Sequence, residues 1–121
     1  MNPAPGPRTH APSQEAAVVQ FYWEFVARED KLKEFERYYS SEGLWATLFR
    51  KHPGYCGTIL LRDAETPRRF LSIDRWDSFA AHVGMRAQFS AEYEELDRVC
   101  EGFTESERRI GVFEDEYDEN S

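Results

Sequence analysis

The fold is decided by the stretch Arg69-Phe70-Leu71-Ser72-Ile73-Asp74-Arg75-Trp76-Asp77-Ser78-Phe79, which predicts a strand that runs directly into a helix. Side chains of a strand alternate between its two faces, and the stretch through Trp76 has the composition of a strand. Asp77 and Ser78 follow, and their side-chain oxygens can accept hydrogen bonds from the first N–H groups of a helix. We therefore predict that a strand ends near Trp76 and that a helix begins near Ser78.

The segments on either side complete a pattern of four strands and two helical regions. Period-two alternation predicts strands, and apolar residues every three or four positions predict helices. The four predicted strands are residues 18–26, 55–62, 69–76 and 107–114. A first helical region opens at Arg28-Glu29-Asp30 and is interrupted at Gly43, and a second begins at Ser78. The order β-α-β-β-α-β predicts a ferredoxin-like α+β fold with an antiparallel four-stranded sheet.

The residues of the two central strands separate by polarity into two sets. We assign the apolar set to the sheet face that the helices cover: Val19, Phe21, Trp23, Phe25, Leu71 and Ile73. The mixed set is assigned to the opposite face: Gln20, Tyr22, Glu24, Phe70, Ser72, Asp74 and Trp76. A face that is both aromatic and polar usually meets a partner. We therefore predict a homodimer in which two sheets pack face to face.

Composition and charge limit the classes of partner. Of the net charge of −8, five charges lie in the last eight residues, so the body carries only about −3. Nothing resembles the clustered Lys and Arg that bind nucleic acid, nor an apolar run that would span a membrane. Cys56 and Cys100 lack metal-ligand spacing and are expected to be reduced, buried thiols in a cytoplasmic protein. We predict a disordered Pro-rich leader over residues 1–15, one domain over 16–114 and an acidic tail over 115–121.

Several of these features carry a resemblance to a known family. They are the first strand that runs into Arg28-Glu29-Asp30, Gly54-Tyr55 at the start of the second strand, and the spacing Phe70-x-x-x-Asp74-x-Trp76-x-Ser78. With them the chain resembles the antibiotic biosynthesis monooxygenase domain of the dimeric α+β barrel superfamily. The resemblance implies that fold, a homodimer, and no cofactor. It also implies one of three roles, because the superfamily includes cofactor-free oxygenases of polycyclic quinols, haem-degrading oxygenases and proteins without an established reaction.

Haem degradation does not fit this chain. Its known mechanism in the superfamily uses an Asn on the first strand, with a Trp and a His ten residues apart on the second helix. The first strand here has no Asn, and the second helical region has no Trp and only His82, near its start.

A cofactor-free oxygenase needs an enclosed aromatic pocket and a group that accepts a phenolic proton. Five aromatic residues are candidates for the pocket wall: Trp23, Trp45, Phe49, Trp76 and Tyr93. His82 is the candidate base, because His10 lies in the leader and His52 lies at a helix end. The alternatives are that the rings are core, that Trp76 in particular is structural, and that His82 is a solvated first-turn residue.

Glu24 and Asp74 form a further candidate pair, on neighbouring strands and one face. Paired carboxylates serve acid–base chemistry or a metal, but an ion pair with Arg75, Arg62 or a partner's Arg is the simpler interpretation. The histidines and cysteines give no metal-ligand spacing, so no metal is predicted. Two functional hypotheses remain: a small cofactor-independent monooxygenase of an aromatic or quinol-type molecule, or a non-catalytic dimer that binds a small hydrophobic ligand.

Overall fold

The computed structural model describes residues 17–116, which form a four-stranded antiparallel sheet packed against helices. The elements are β1 (Val19–Ala27), α1 (Leu32–Tyr39), α2 (Leu44–Phe49), β2 (Tyr55–Arg62), β3 (Arg69–Trp76), α3 (Phe79–Gln88), α4 (Ser90–Cys100) and β4 (Thr104–Glu114). The sheet order is β2-β3-β1-β4, so β1 and β3 are the central pair. The ferredoxin-like α+β prediction is confirmed. The predicted leader and residues 117–121 of the predicted tail lie outside the described residues.

The local signals at the helix ends act largely as the sequence indicates. The Ser78 hydroxyl oxygen accepts a hydrogen bond from the Ala81 N–H at 3.1 Å, so it caps α3 directly after the central strand. Gly43 immediately precedes α2 and separates it from α1. The second helical region divides at Phe89, between α3 and α4. Both helical regions lie on the same face of the sheet, where Trp45 of α2 packs against Tyr93 of α4.

The face assignment of β3 is wrong. Phe21 is paired with Asp74, Trp23 with Ser72, and Phe25 with Phe70, so these residues share a face. Phe70, Ser72 and Trp76 are buried together with the apolar residues of β1, on the side of the helices. This side is called the inner face below.

Leu71 and Ile73 therefore lie on the outer face of the sheet. There, Ile73 is the register partner of Tyr22 on β1 and of Ile59 on β2. Polarity does not identify the faces of this strand. Alternate side chains point to the same face, so Ser72 and Asp74 lie on the side of Trp76 whatever their polarity.

The two carboxylates that were predicted to form a pair, Glu24 and Asp74, lie on opposite faces of the sheet. Glu24 accepts hydrogen bonds from Arg69 Nε at 2.6 Å and from Arg108 Nε at 3.0 Å, and these two bonds hold the pKa of Glu24 below its usual range. Asp74 lies on the inner face, so Glu24 and Asp74 do not form a pair. The ion-pair interpretation of Glu24 is correct in kind, although its partners are Arg69 and Arg108.

Two further observations concern exposure. Cys100 is buried, but Cys56 is exposed, contrary to the prediction that both thiols are buried. Both are free thiols. Across residues 17–116, no helix has the length and apolar character needed to cross a membrane.

Candidate functional site

A cavity of about 240 Å³ lies between the inner face of the sheet and the helices. Half of its lining residues are aromatic, and the others are polar groups on the sheet side and charged groups toward the surface. The lining residues are Trp23, Phe25, Tyr39, Trp45, Phe49, Thr58, Ser72, Asp74, Arg86, Tyr93, Asp97 and Glu107. The sheet, α2 and α4 each supply rings to the wall. The cavity lies where these large side chains pack over the small polar residues of β3.

Asp74 is the acidic group on the sheet side of this cavity. Its Oδ1 accepts a hydrogen bond from the Thr58 hydroxyl at 2.6 Å, and the Thr58 oxygen lies 2.6 Å from the Tyr55 hydroxyl. Thr58 is the register partner of Asp74 across the β2–β3 ladder. The carboxylate is thus held by the neighbouring strand, on a rigid part of the fold.

Burial raises the pKa of Asp74 to about 6, from an ordinary value of 3.8, and the hydrogen bond from Thr58 opposes this rise. A carboxyl group with a pKa near 6 is mostly ionised at neutral pH, yet it binds a proton more tightly than an exposed aspartate does. Acid–base catalysis favours such a value, because the group is present as a base and accepts a proton readily. Asp74 therefore has both the position and the proton affinity of a general base.

Three exposed charged residues lie at the mouth of the cavity: Arg86, Asp97 and Glu107. The guanidinium carbon of Arg86 lies 3.9 Å from the centre of the Tyr93 ring. Within residues 17–116 Arg86 has no carboxylate at ion-pair distance. Partial desolvation of its carboxyl group, followed by the negative charges of Asp97 and Glu101, raises the pKa of Glu107. The guanidinium is thus the cation available to a ligand that develops negative charge here.

Four of the five predicted wall residues line the cavity: Trp23, Trp45, Phe49 and Tyr93. Trp76 does not line it. This residue is fully buried. It packs edge-on against Phe49, with ring centroids 5.4 Å apart, and its ring is tilted against that of Tyr55 at 5.3 Å. This packing supports the interpretation that Trp76 stabilises the core and does not contact a ligand.

His82 does not line the cavity either. Its ring stacks on Phe21 with centroids 4.0 Å apart and lies edge-on to Trp76 at 5.6 Å. Burial, followed by the positive charges of Arg86 and Arg109, lowers the pKa of His82 to about 4. The imidazole is therefore neutral at physiological pH. A catalytic role for His82 stays a prediction, with no cavity-lining position to support it.

The sequence patterns did not indicate Thr58 or Arg86, and they indicated Asp74 only as half of a pair with Glu24. The sequence nevertheless contained a signal for a polar site. Two polar residues, Ser72 and Asp74, stand between the large aromatic residues Phe70 and Trp76 on one face of the strand. Polar groups at buried positions need hydrogen-bond partners or access to a ligand. No group of three or more potential metal ligands occurs in the part of the chain that the structure describes.

The partly buried Asp74 carboxyl group leads to a prediction about stability and pH. Because the folded pKa of Asp74 lies above its ordinary value, the native state binds the proton more tightly, and stability falls as the pH rises from about 4 to about 6. We expect Asp74→Asn to be more stable than the wild type above pH 7, by on the order of 2 kcal/mol. The difference should vanish below pH 4, where the wild-type carboxyl is protonated.

Chemical denaturation of both proteins across pH 3–8 measures this difference. His82 has the opposite effect, since its lowered pKa makes stability rise between about pH 4 and 6.5, but it is present in both proteins and cancels. Equal stabilities at pH 8 would show that Asp74 carries no burial cost.

Both the sequence and the fold of this chain are similar to those of known proteins. The family model for the antibiotic biosynthesis monooxygenase domain matches residues 17–88, more than half of the chain. None of the curated proteins matches the chain.

Among solved structures, a variant of SnoaB, a cofactor-independent oxygenase from Streptomyces nogalater, has a TM-score of 0.72 at 20% identity, covering 88% of this chain and 100% of that one. A candidate antibiotic biosynthesis monooxygenase from Nitrosomonas europaea has a TM-score of 0.68 at 14% identity, covering 84% and 93%. A protein from Shewanella oneidensis has a TM-score of 0.62 at 16% identity, covering 83% and 92%. At these identities the structures establish the fold alone.

Proposed function

Since the chain belongs to the antibiotic biosynthesis monooxygenase family, we propose that it is a cofactor-independent monooxygenase of a small phenolic molecule, with Asp74 as the general base. The observation that supports this proposal most is the position of Asp74, a hydrogen-bonded carboxylate with a raised pKa in an aromatic cavity. The aromatic wall suits a flat ring, and a phenol presents a proton that a carboxylate can accept.

The size of the cavity favours a substrate of one or two rings. An apolar cavity of roughly 150 Å³ holds one benzene molecule. The cavity here has about 240 Å³, so it suits a single ring with substituents or two fused rings. A three-ring quinol would extend through the mouth, past Arg86 and Asp97.

The chemistry follows from the residues on each side of the ring. Asp74 accepts the phenolic proton, and the resulting electron-rich ring reacts with dioxygen at a ring C–H carbon. For 1-naphthol, one oxygen atom becomes the new quinone carbonyl, the other leaves as water, and the product is 1,4-naphthoquinone. Arg86 at the mouth stabilises the negative charge that moves onto the substrate and oxygen, because a cation is already positioned where that charge develops.

The test is a panel of phenols of increasing size. Quenching of the Trp23 and Trp45 fluorescence reports binding, while oxygen consumption and quinone absorbance report turnover. We expect 1-naphthol to bind and to be oxidised, and anthrone, with three rings, to bind more weakly. Binding without turnover would favour the second hypothesis, a non-catalytic ligand-binding module. No binding of any member would contradict the proposed function.

We also propose that the protein is a homodimer formed by the outer faces of two sheets. Three apolar side chains on the sheet are about half exposed: Ile59, Leu61 and Phe113. They lie near the ion pairs of Glu24, so the face is both apolar and charged, as interfaces between copies often are. Sedimentation should show a dimer at micromolar concentration, and Leu61→Asp should shift it toward the monomer. A cytoplasmic location stays a prediction.

A further inference from the structure

Tyr55, Thr58 and Asp74 form a chain of hydroxyl and carboxyl groups whose geometry depends on an irregularity of β2. Residues three apart on a regular strand point to opposite faces. The register of β2 shifts between Tyr55 and Gly57, so that Tyr55 is paired with Trp76 and Thr58 with Asp74, both on the inner face. This β-bulge therefore brings the Tyr55 and Thr58 hydroxyls to the same side as Asp74.

Gly57 makes the bulge possible. Its φ of +127° is rarely adopted by residues with a side chain. Bulges are over-represented near active sites, where they redirect a side chain. The position of this one, opposite the carboxylate of the cavity, is a second reason to assign Thr58 a role in the site.

The direction of the two hydrogen bonds follows from the chemistry of the groups. An ionised carboxylate only accepts hydrogen bonds, so the one hydroxyl hydrogen of Thr58 is used on Asp74 Oδ1, at 2.6 Å. The hydrogen between Thr58 and Tyr55 must then come from Tyr55. Burial raises the pKa of Tyr55, so its hydroxyl stays protonated and able to donate at neutral pH.

We propose that Thr58 is a positioning residue for the Asp74 carboxylate, and that Tyr55 fixes the Thr58 hydroxyl in the orientation that donates to it. The inference rests on the proposed role of Asp74 as the base. Thr58 holds Oδ1 on the side of β2, which leaves Oδ2 for the substrate. It also stabilises the ionised form, and so keeps the carboxyl group deprotonated near neutral pH despite its burial.

Other charged and titratable groups also face Asp74 across the cavity. Tyr93 and Asp97 come from α4, Arg86 from α3, Glu107 from β4 and Tyr39 from α1. Thr58 is the group with a direct hydrogen bond to the carboxylate, so its removal should change the titration of Asp74 more than changes at the rim do.

The experiment is an NMR titration of the aspartate side-chain carboxyl carbons, which needs no substrate. Comparison with Asp74→Asn identifies the Asp74 signal. We expect Thr58→Val to titrate about one pH unit above the wild type, because a hydrogen bond to a charged group is typically worth that much. Thr58→Ser should restore the wild-type midpoint, and Tyr55→Phe should give a smaller rise.

The matched controls are Thr47→Val and Tyr22→Phe. The Thr47 hydroxyl donates to the Gly43 carbonyl oxygen on α2, and the Tyr22 hydroxyl donates to Gln20 on the outer face. Neither change should move the Asp74 midpoint. The pH at which kcat/KM is half-maximal should follow the NMR midpoint across the Thr58 and Tyr55 variants.

Two failures are distinguishable. An unchanged Asp74 midpoint in folded Thr58→Val would overturn the positioning role, whatever the substrate is. A raised midpoint in Thr58→Val, together with no binding of 1-naphthol to the wild type, would leave the positioning role intact and overturn the proposed function.

Discussion

Replacing Trp76 with alanine is expected to lower the free energy of unfolding by about 3–5 kcal/mol, the usual cost of removing a large buried ring. Trp76 is fully buried at the end of β3, and its ring contacts Phe49, Tyr55, His52 and His82. Truncation removes the contacts of the ring and leaves a void between the sheet and both helical regions. The melting temperature should fall by more than about 10 °C.

Trp23→Ala is the matched control, because Trp23 is only half-buried and lines the cavity. Its loss should lower the melting temperature less, and should weaken ligand binding more, than the loss of Trp76. A wild-type melting temperature for Trp76→Ala would contradict the structural role and return Trp76 to the candidate ligand contacts.

The second large effect concerns activity. For a phenol that the wild type oxidises, Asp74→Asn should reduce kcat by ~10²-fold or more, since general-base catalysis typically contributes 10²–10⁴-fold. In the wild type, kcat/KM should rise with pH through about 6, as Asp74 loses its proton and becomes able to act as a base. Stopped assays of quinone formation between pH 4 and 8 measure both quantities.

His82→Ala separates the two candidate bases. If His82 is the base, His82→Ala should lose at least tenfold in turnover while staying folded, whereas a site centred on Asp74 predicts a much smaller change. If His82→Ala abolished turnover while Asp74→Asn kept it, the base would have to be reassigned to His82, next to Phe21.

The fold was predictable from the sequence because its signals are local. The β2 bounds, the cap at Ser78 and the break at Gly43 each depend on neighbouring residues, and the element order then specifies the ferredoxin-like arrangement. The family resemblance pointed to the same fold. The aromatic wall was also predictable in large part, since Trp45 and Phe49 lie on the apolar stripe of a helix that must face the sheet.

The chemistry of the cavity was not predictable in the same way. Its polar side depends on the register between strands and on the bulge at Gly57, which the alternation of polarity does not show. Sorting by polarity placed Ser72 and Asp74 outside, whereas the ladder places them inside. His82 was favoured because it titrates near neutrality in water, but burial and two arginines lower its pKa. Burial has the opposite effect on Asp74 and makes it the better base.

The most direct test of the central claim is a crystal structure of the protein with 1-naphthol bound. The proposal predicts that the ring lies in the cavity against Trp45 and Tyr93, with its hydroxyl oxygen within hydrogen-bond distance of Asp74 Oδ2. A ring bound on the outer face of the sheet, or beside His82 and Phe79 with the cavity unchanged, would contradict it.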